Sequence, residues 1–228
     1  MYDFTEGEVL LIDKPYQWTS FDVVKKIRGA AKIKKIGHAG TLDPLATGLL
    51  ILCTGKKTKQ IESFQEREKE YTATMLLGKT TPSVDLETDF DGEFSLEGIS
   101  LEQIQAAILP FLGTIRQTPP LYSAVRVDGK RAYKLAREGK EAVLKERQIF
   151  IREFELTSVK LPIIEFRLVC SKGTYVRSLV RDFGEALGVG ACMTALRRVR
   201  VGDMRVQDAC SPEEFVQSLK NHSSGEQA

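Results

Sequence analysis

Residues 37–48 read Gly-His-Ala-Gly-Thr-Leu-Asp-Pro-Leu-Ala-Thr-Gly. Three glycines and a proline in so short a stretch forbid a long regular element across it. On one side lies a lysine-rich helical pattern, and on the other the apolar run Leu49-Leu50-Ile51-Leu52. A loop is therefore held at the mouth of a buried strand, with one carboxylate, Asp43, at its middle. Pro44 biases Asp43 away from helical backbone and fixes the chain after it, so the acid is presented rigidly. The residues alone leave two readings open. Asp43 either makes an Asx-turn or cap, as many loop aspartates do, or it is a chemical group.

Two familiar site motifs do not fit. Thr54-Gly55-Lys56-Lys57-Thr58 hints at a phosphate loop, but the interval from Gly48 is too long and Lys57 stands where Ser or Thr is needed. No Gly-x-Ser-x-Gly occurs. The four cysteines, Cys53, Cys170, Cys192 and Cys210, are scattered without a Cys-x-x-Cys, and the only histidines are His38 and His222. That composition predicts buried or indifferent thiols in a reducing compartment and no metal site. Acidic residues cluster between Thr80 and Glu102, but without the spacing of a calcium loop. The chain has 228 residues and a formal net charge of only +2, so any nucleic-acid surface must be a local basic face. No signal-like start and no apolar run near 18 residues occurs, which predicts a cytoplasmic protein with no membrane segment.

In chain order, residues 8–15 read as a short strand closed by a turn. Thr19 or Ser20 caps a helix whose inner face is Phe21, Val24, Ile27 and Ala31. Its other face carries Lys25, Lys26 and Arg28, and Lys32, Lys34 and Lys35 follow, running straight into the Asp43 loop. Such a face is either simply solvated or binds phosphate. Lys56–Phe64 reads as helical and Glu70–Leu77 as a strand opened by Tyr71. Residues 80–102 read as a solvated acidic loop. Ser100 and Gln103 form a capping box for a helix ended by Gly113. A strand at 125–127, an Asp128-Gly129 turn and a basic helical pattern over 130–137 follow. Gln148–Lys160 and Ile163–Cys170 pair as antiparallel strands. The second delivers Tyr175 and Arg177 to a strand-to-helix junction. Ser211-Pro212-Glu213-Glu214 opens a last helix through Leu219, and residues 221–228 read as a disordered tail.

The stretch GHAGTLDPLATGLL closely resembles the active-site motif of the bacterial tRNA pseudouridine synthase B (TruB) family. Ser171-Lys172-Gly173-Thr174-Tyr175-Val176-Arg177 resembles its second strong motif, and Ala195–Arg200 a third, weaker one. The resemblance runs from about Val9 to Leu219 with the motifs in order. It implies an α+β pseudouridine synthase fold: a mixed, mostly antiparallel sheet flanked by helices, with a central active-site cleft. Residues 1–220 would form the catalytic domain, with an RNA-gripping insertion at about 118–147. By the match, Asp43 is the catalytic residue, Arg177 pairs with it, and Tyr71 stacks on the target base. Tyr175 and Leu196 line the base pocket, and His38 contacts RNA or supports the loop. Lys14, with Pro15, shapes the active-site region and stands with the RNA-binding residues, as do Lys130, Arg131 and Lys134 of the insertion. Many relatives carry a C-terminal PUA-type module, and the sequence is expected to be a short form without it.

The implied activity is isomerisation of uridine to pseudouridine in the T-loop of tRNA, at position 55 of standard tRNA numbering. The base is detached, turned and reattached through ring carbon 5. Nothing is oxidised and no group is added, so no cofactor is expected. The expected partner is the T-arm of tRNA, the expected state a monomer. A stacked uridine must be flipped out, at a cost of a few kcal/mol, roughly. A competing reading is a non-catalytic tRNA-binding or folding chaperone on the same scaffold, which would need the basic elements but neither Asp43 nor Arg177.

Overall fold

A computed structural model describes residues 2–123, 125–127, 129–138 and 144–224. The chain begins with strand β1 (Val9–Lys14) and helix α1 (Ser20–Ala31). Thr19 is the N-cap of α1: its hydroxyl accepts from the Asp22 N–H (3.0 Å) and the Asp22 carboxylate accepts from the Thr19 N–H (2.9 Å). Strands β2 (Ile36–Ala39) and β3 (Thr47–Thr54) follow, then a 3₁₀ turn, α2 (Ile61–Glu66) and β4 (Lys69–Leu77). Next come the short strands β5 (Lys79–Thr80) and β6 (Gly92–Glu93), helix α3 (Leu101–Ala106) and β7 (Gly113–Gln117). The hairpin β8 (Arg126–Val127) and β9 (Lys130–Arg131) leads into α4 (Ala132–Arg137). The long strands β10 (Arg147–Lys160) and β11 (Ile163–Cys170) precede α5 (Val176–Ala186), β12 (Ala191–Val201), β13 (Met204–Arg205) and α6 (Pro212–Ser224).

Two compact units divide the chain. One comprises Met1–Tyr71 with Leu196–Ala228, the other Thr72–Ala195. In the first, β3 is central: it pairs antiparallel with β1 and β2 and parallel with β12. Its run is continuously apolar because both faces are covered. Leu50 and Leu52 pack with Val23, Val24 and Ile27 of α1 and Phe215 of α6. Leu49, Ile51 and Cys53 pack on the opposite side with Phe64 of α2, Val201 and Val206. In the second unit, β10 pairs antiparallel with β11 and β7. Phe154 of β10 meets Phe166 of β11 and Phe183 of α5 with ring centroids 5.2 and 5.8 Å apart, edge-on. The open sheet is thus mixed and mostly antiparallel with helices against it, the α+β class expected.

Several local expectations change. Phe21 is 62% exposed, and the buried face of α1 is Ser20, Val23, Val24 and Ile27. At about 100° per residue Phe21 falls outside that stripe. Gly37, His38 and Ala39 belong to β2, which pairs with β3, so the loop proper is residues 40–46. Lys130 and Arg131 are strand rather than helix, because they close the hairpin on Val127 and Arg126. Their side chains, with Asp128, lie outside the described residues. α3 ends at Ala106, and Gly113, at φ +82°, starts β7 instead of ending a helix. The expected acidic loop is not wholly solvated: Thr81, Ser83, Val84 and Asp85 are buried. α6 continues to Ser224, into the segment expected as tail, whose residues 225–228 lie outside the described residues.

Gly48 shows how tightly the loop is seated. Its φ is +101°, and a Cβ there would lie 2.3 Å from the Arg198 carbonyl oxygen, across the β3–β12 pairing. Gly48→Ala combines a backbone penalty with a clash against main chain, which costs about 3 kcal/mol or more. Thermal unfolding should show Tm lower by roughly 6–12 °C.

Candidate active site

Asp43 sits half-buried on a loop tied down at each part of its length. Ser20, at the first turn of α1 and buried, bridges Leu42: its hydroxyl accepts from the Leu42 N–H (2.9 Å) and donates to the Leu42 carbonyl (3.1 Å). The Ala46 N–H donates to the Asp43 carbonyl (3.1 Å), closing a turn around Pro44. Arg198 of β12, 2% exposed, donates from Nε to Leu49 (2.7 Å) and from Nη2 to Gly40 (3.1 Å), so one side chain holds both flanks of the loop. Beside it, Arg197 makes a two-pronged pair with Asp13 (2.6 and 3.0 Å) and reaches the Thr47 hydroxyl (3.4 Å).

Lys14 is the most unusual group. It is 0% exposed, at the end of β1, and its ammonium donates to the carbonyls of Pro15 (3.0 Å), Trp18 and Pro44 (3.2 Å). All three donors are used on main chain, so Lys14 holds the loop. Burial pushes its pKa down to about 8, and the Asp43 carboxylate opposes that fall. The sign is then determined. Between about 8 and the unfolded value near 10.4 the unfolded chain holds more protons, so stability rises with pH through that window, by about 3 kcal/mol in total. Turnover should move oppositely, since a neutral amine has only two donors and no charge to offer Asp43. Denaturant melts and initial rates from pH 7 to 10 check both, and Lys14→Met should lose the alkaline limb of each.

His38, on β2, has its pKa lowered by burial first and the nearby Arg198 charge second, which keeps the ring neutral near pH 7. Its Nδ1 is buried without a hydrogen-bond partner among the described residues. Leu196 is buried on β12, and its carbonyl accepts from the Thr47 hydroxyl (3.5 Å). Tyr71 is buried on β4, on the same strand face as Lys69. Lys14, His38, Asp43 and Leu196 are thus gathered around one loop.

In the second unit, Gln117 clamps the main chain of Tyr175: its side-chain oxygen accepts from the Tyr175 N–H (2.8 Å) and its amide donates to the Tyr175 carbonyl (3.1 Å). The Arg147 guanidinium lies 5.7 Å from the Tyr175 ring centroid. Arg177, at the start of α5, is buried. It donates to the carbonyls of Ser83 (2.9 Å) and Tyr122 (2.7 Å), and its Nε is 3.6 Å from an Asp85 carboxylate oxygen, both side chains 3% exposed. Asp85 had no role assigned from the sequence. Its signal there is slight: the five residues before it, Thr80 to Val84, carry no charge, unlike the stretch that follows. Val84 has φ +62°, an outlier for a β-branched residue, worth about 1–3 kcal/mol of strain. Its carbonyl accepts from the Met193 N–H (2.9 Å), and Asp85 accepts from the Glu87 N–H (3.0 Å). Hydrogen bonds at Val84 and Asp85 thus hold the strained backbone beside the buried ion pair. Lys134 is exposed on α4.

The two motifs are therefore built as rigid, hydrogen-bonded presentations of one carboxylate and one guanidinium. The family model described as "TruB family pseudouridylate synthase (N terminal domain)" matches residues 28–176. This chain belongs to the TruB family. A second family model, "tRNA pseudouridylate synthase B C-terminal domain", matches residues 177–227. The chain is 55% identical to the tRNA pseudouridine synthase B of Phocaeicola vulgatus, covering 95% of each, and 50% identical to that of Parabacteroides distasonis, covering 96% of each. Among solved structures it is similar to a chain of a Cbf5-Nop10-Gar1 complex, at 30% identity and a TM-score of 0.72, covering 94% of this chain and 54% of that one. It is also similar to a chain of an H/ACA RNP bound to a substrate RNA containing 2'-deoxyuridine, at 27% identity and a TM-score of 0.69, spanning 53% of that chain.

Proposed function

We propose that this chain isomerises uridine to pseudouridine in tRNA, at position 55 of the T-loop. The observation that carries the reading is the Asp43 loop. The backbone that carries this half-buried aspartate is anchored by Ser20, Lys14 and Arg198, inside a stretch matched by the TruB family model. The glycosidic carbon–nitrogen bond breaks, a bond forms between the sugar and ring carbon 5, and the hydrogen of carbon 5 leaves while N1 gains one. A rigidly placed carboxylate serves such a sequence by attacking the anomeric carbon, attacking the ring, or removing a sugar proton. Arg177 is assigned to face Asp43 and keep it anionic. Its fixed neighbours Asp85, Ser83 and Tyr122 support this by locking the guanidinium in place. Tyr71 is assigned to stack on the flipped base, with Tyr175 and Leu196 beside it and His38 on the RNA side of the loop.

Residues 1–220 are read as the catalytic domain, working as a monomer in the cytoplasm without a cofactor. The hairpin bearing Lys130 and Arg131, with Lys134 exposed on α4, supports an RNA-gripping insertion over 118–147. No helix among the described residues is long and apolar enough to cross a membrane.

The test is tritium release from an unmodified tRNA transcript labelled at carbon 5 of its uridines. Release at one equivalent per tRNA, lost when uridine 55 is replaced by cytidine, is the expected result. Binding without release would return the chain to the chaperone reading.

A further inference from the structure

Along α1 runs a stripe that the chemistry at Asp43 does not use. Asp22, Lys25, Lys26 and Gly29 follow at helical spacing, and with Gln17 and Trp18 they line an open concavity of about 610 Å³. Both lysines are exposed. Trp18 is half-buried, its inner edge packed on the core under α1. Gln17 just before it takes φ +66°, a left-handed conformation uncommon for a side-chain-bearing residue, and this turn sets Trp18 at the head of the stripe. Two further aromatics, Tyr16 and Phe21, stand exposed around it. The Asp22 carboxylate is engaged by the Thr19 N–H and hydroxyl (2.9 and 2.6 Å), so the lysines dominate the outer end.

The stripe is also wired to the reaction site. The Lys14 ammonium that holds Pro44, next to Asp43, donates as well to the Trp18 carbonyl. Ser20, two residues on, holds Leu42. From Asp22 to Gly29 the helix rises about 10 Å, room for roughly three consecutive nucleotides.

We infer that this concavity is a second RNA subsite: an unpaired base of the substrate stacks on Trp18, and the phosphates beyond it lie on Lys25 and Lys26. Aromatic faces interleaved with cations bind single-stranded nucleotides without reading sequence. The subsite rests on the tRNA reading above and extends it by naming where nucleotides flanking the target are held.

Trp18 is the only tryptophan in the chain, so its fluorescence reports on the subsite directly. An unmodified T-arm hairpin transcript is titrated into wild type and into Lys25→Gln/Lys26→Gln, at several salt concentrations, with tritium release measured on the same hairpin. The expected result is quenching of Trp18 that saturates with binding. The double variant should bind roughly tenfold more weakly near 0.1 M salt, and its log–log salt slope should be shallower by between about one and two. Saturating binding with unchanged emission, or an unchanged salt slope in the variant, overturns the subsite. Release without quenching rejects the subsite and leaves the isomerase reading intact. Quenching and a reduced slope without release do the reverse.

Discussion

Asp43→Asn should reduce tritium release by on the order of 10⁴-fold or more, while hairpin affinity stays within a few-fold of wild type. The change is nearly isosteric. Ser20 still bridges Leu42, Lys14 still holds Pro44, and Arg198 still spans Gly40 and Leu49, because none of those bonds uses the Asp43 side chain. What is lost is a negative charge and with it a nucleophile or base. Single-turnover assays with excess enzyme separate this from weakened binding. A variant that isomerises uridine at near wild-type rate would falsify the assignment. A second signature follows from Lys14. The Asp43 charge is what opposes the fall in its pKa, so in the variant the pH window of rising stability opens below about 8.

The second large effect is expected at the buried pair of Arg177 and Asp85. Removing Arg177 takes the cation from beside a buried carboxylate, and removing Asp85 takes a carboxylate 3.6 Å from a buried guanidinium; breaking a buried pair in this way costs about 3–5 kcal/mol. Arg177→Met and Asp85→Asn should each lower Tm by roughly 6–20 °C. The double variant should lose less than the sum, by about 1–3 kcal/mol of coupling. Arg177→Lys discriminates a catalytic share from a structural one. It keeps the charge but cannot serve Ser83, Tyr122 and a carboxylate together, since the fork is gone. Well below its melting temperature that variant should fall in kcat on the order of 10²-fold with KM little changed. Full kcat in the folded Lys variant would make Arg177 a structural residue only.

Much of the organisation was legible because it is written in local terms. The cap of α1 at Thr19 or Ser20, the capping boxes at Ser100 and Ser211, the apolar run of β3 and the paired strands β10 and β11 all follow from spacing within one segment. The errors arose where tertiary contact overrode a local pattern. Phe21 fits a helical repeat but misses the stripe that faces Leu50 and Leu52. Lys130 and Arg131 have helix-forming side chains, yet the turn at Gly129 folds them back onto Arg126 and Val127.

The motif containing Asp43 was readable because its glycines, proline and acid are contiguous, and backbone constraint acts between neighbours. The residues that hold it were not. Ser20, Lys14 and Arg198 reach the loop across 22, 30 and 158 positions, to Leu42, Pro44 and Gly40. Asp85 reads as one more acid in an acidic stretch until the fold buries it 3.6 Å from Arg177. By itself, then, the sequence determined which element presents the carboxylate and which the guanidinium. Only the tertiary structure decided what immobilises them, because a hydrogen bond or ion pair depends on distance in space, and folding sets that distance independently of separation along the chain.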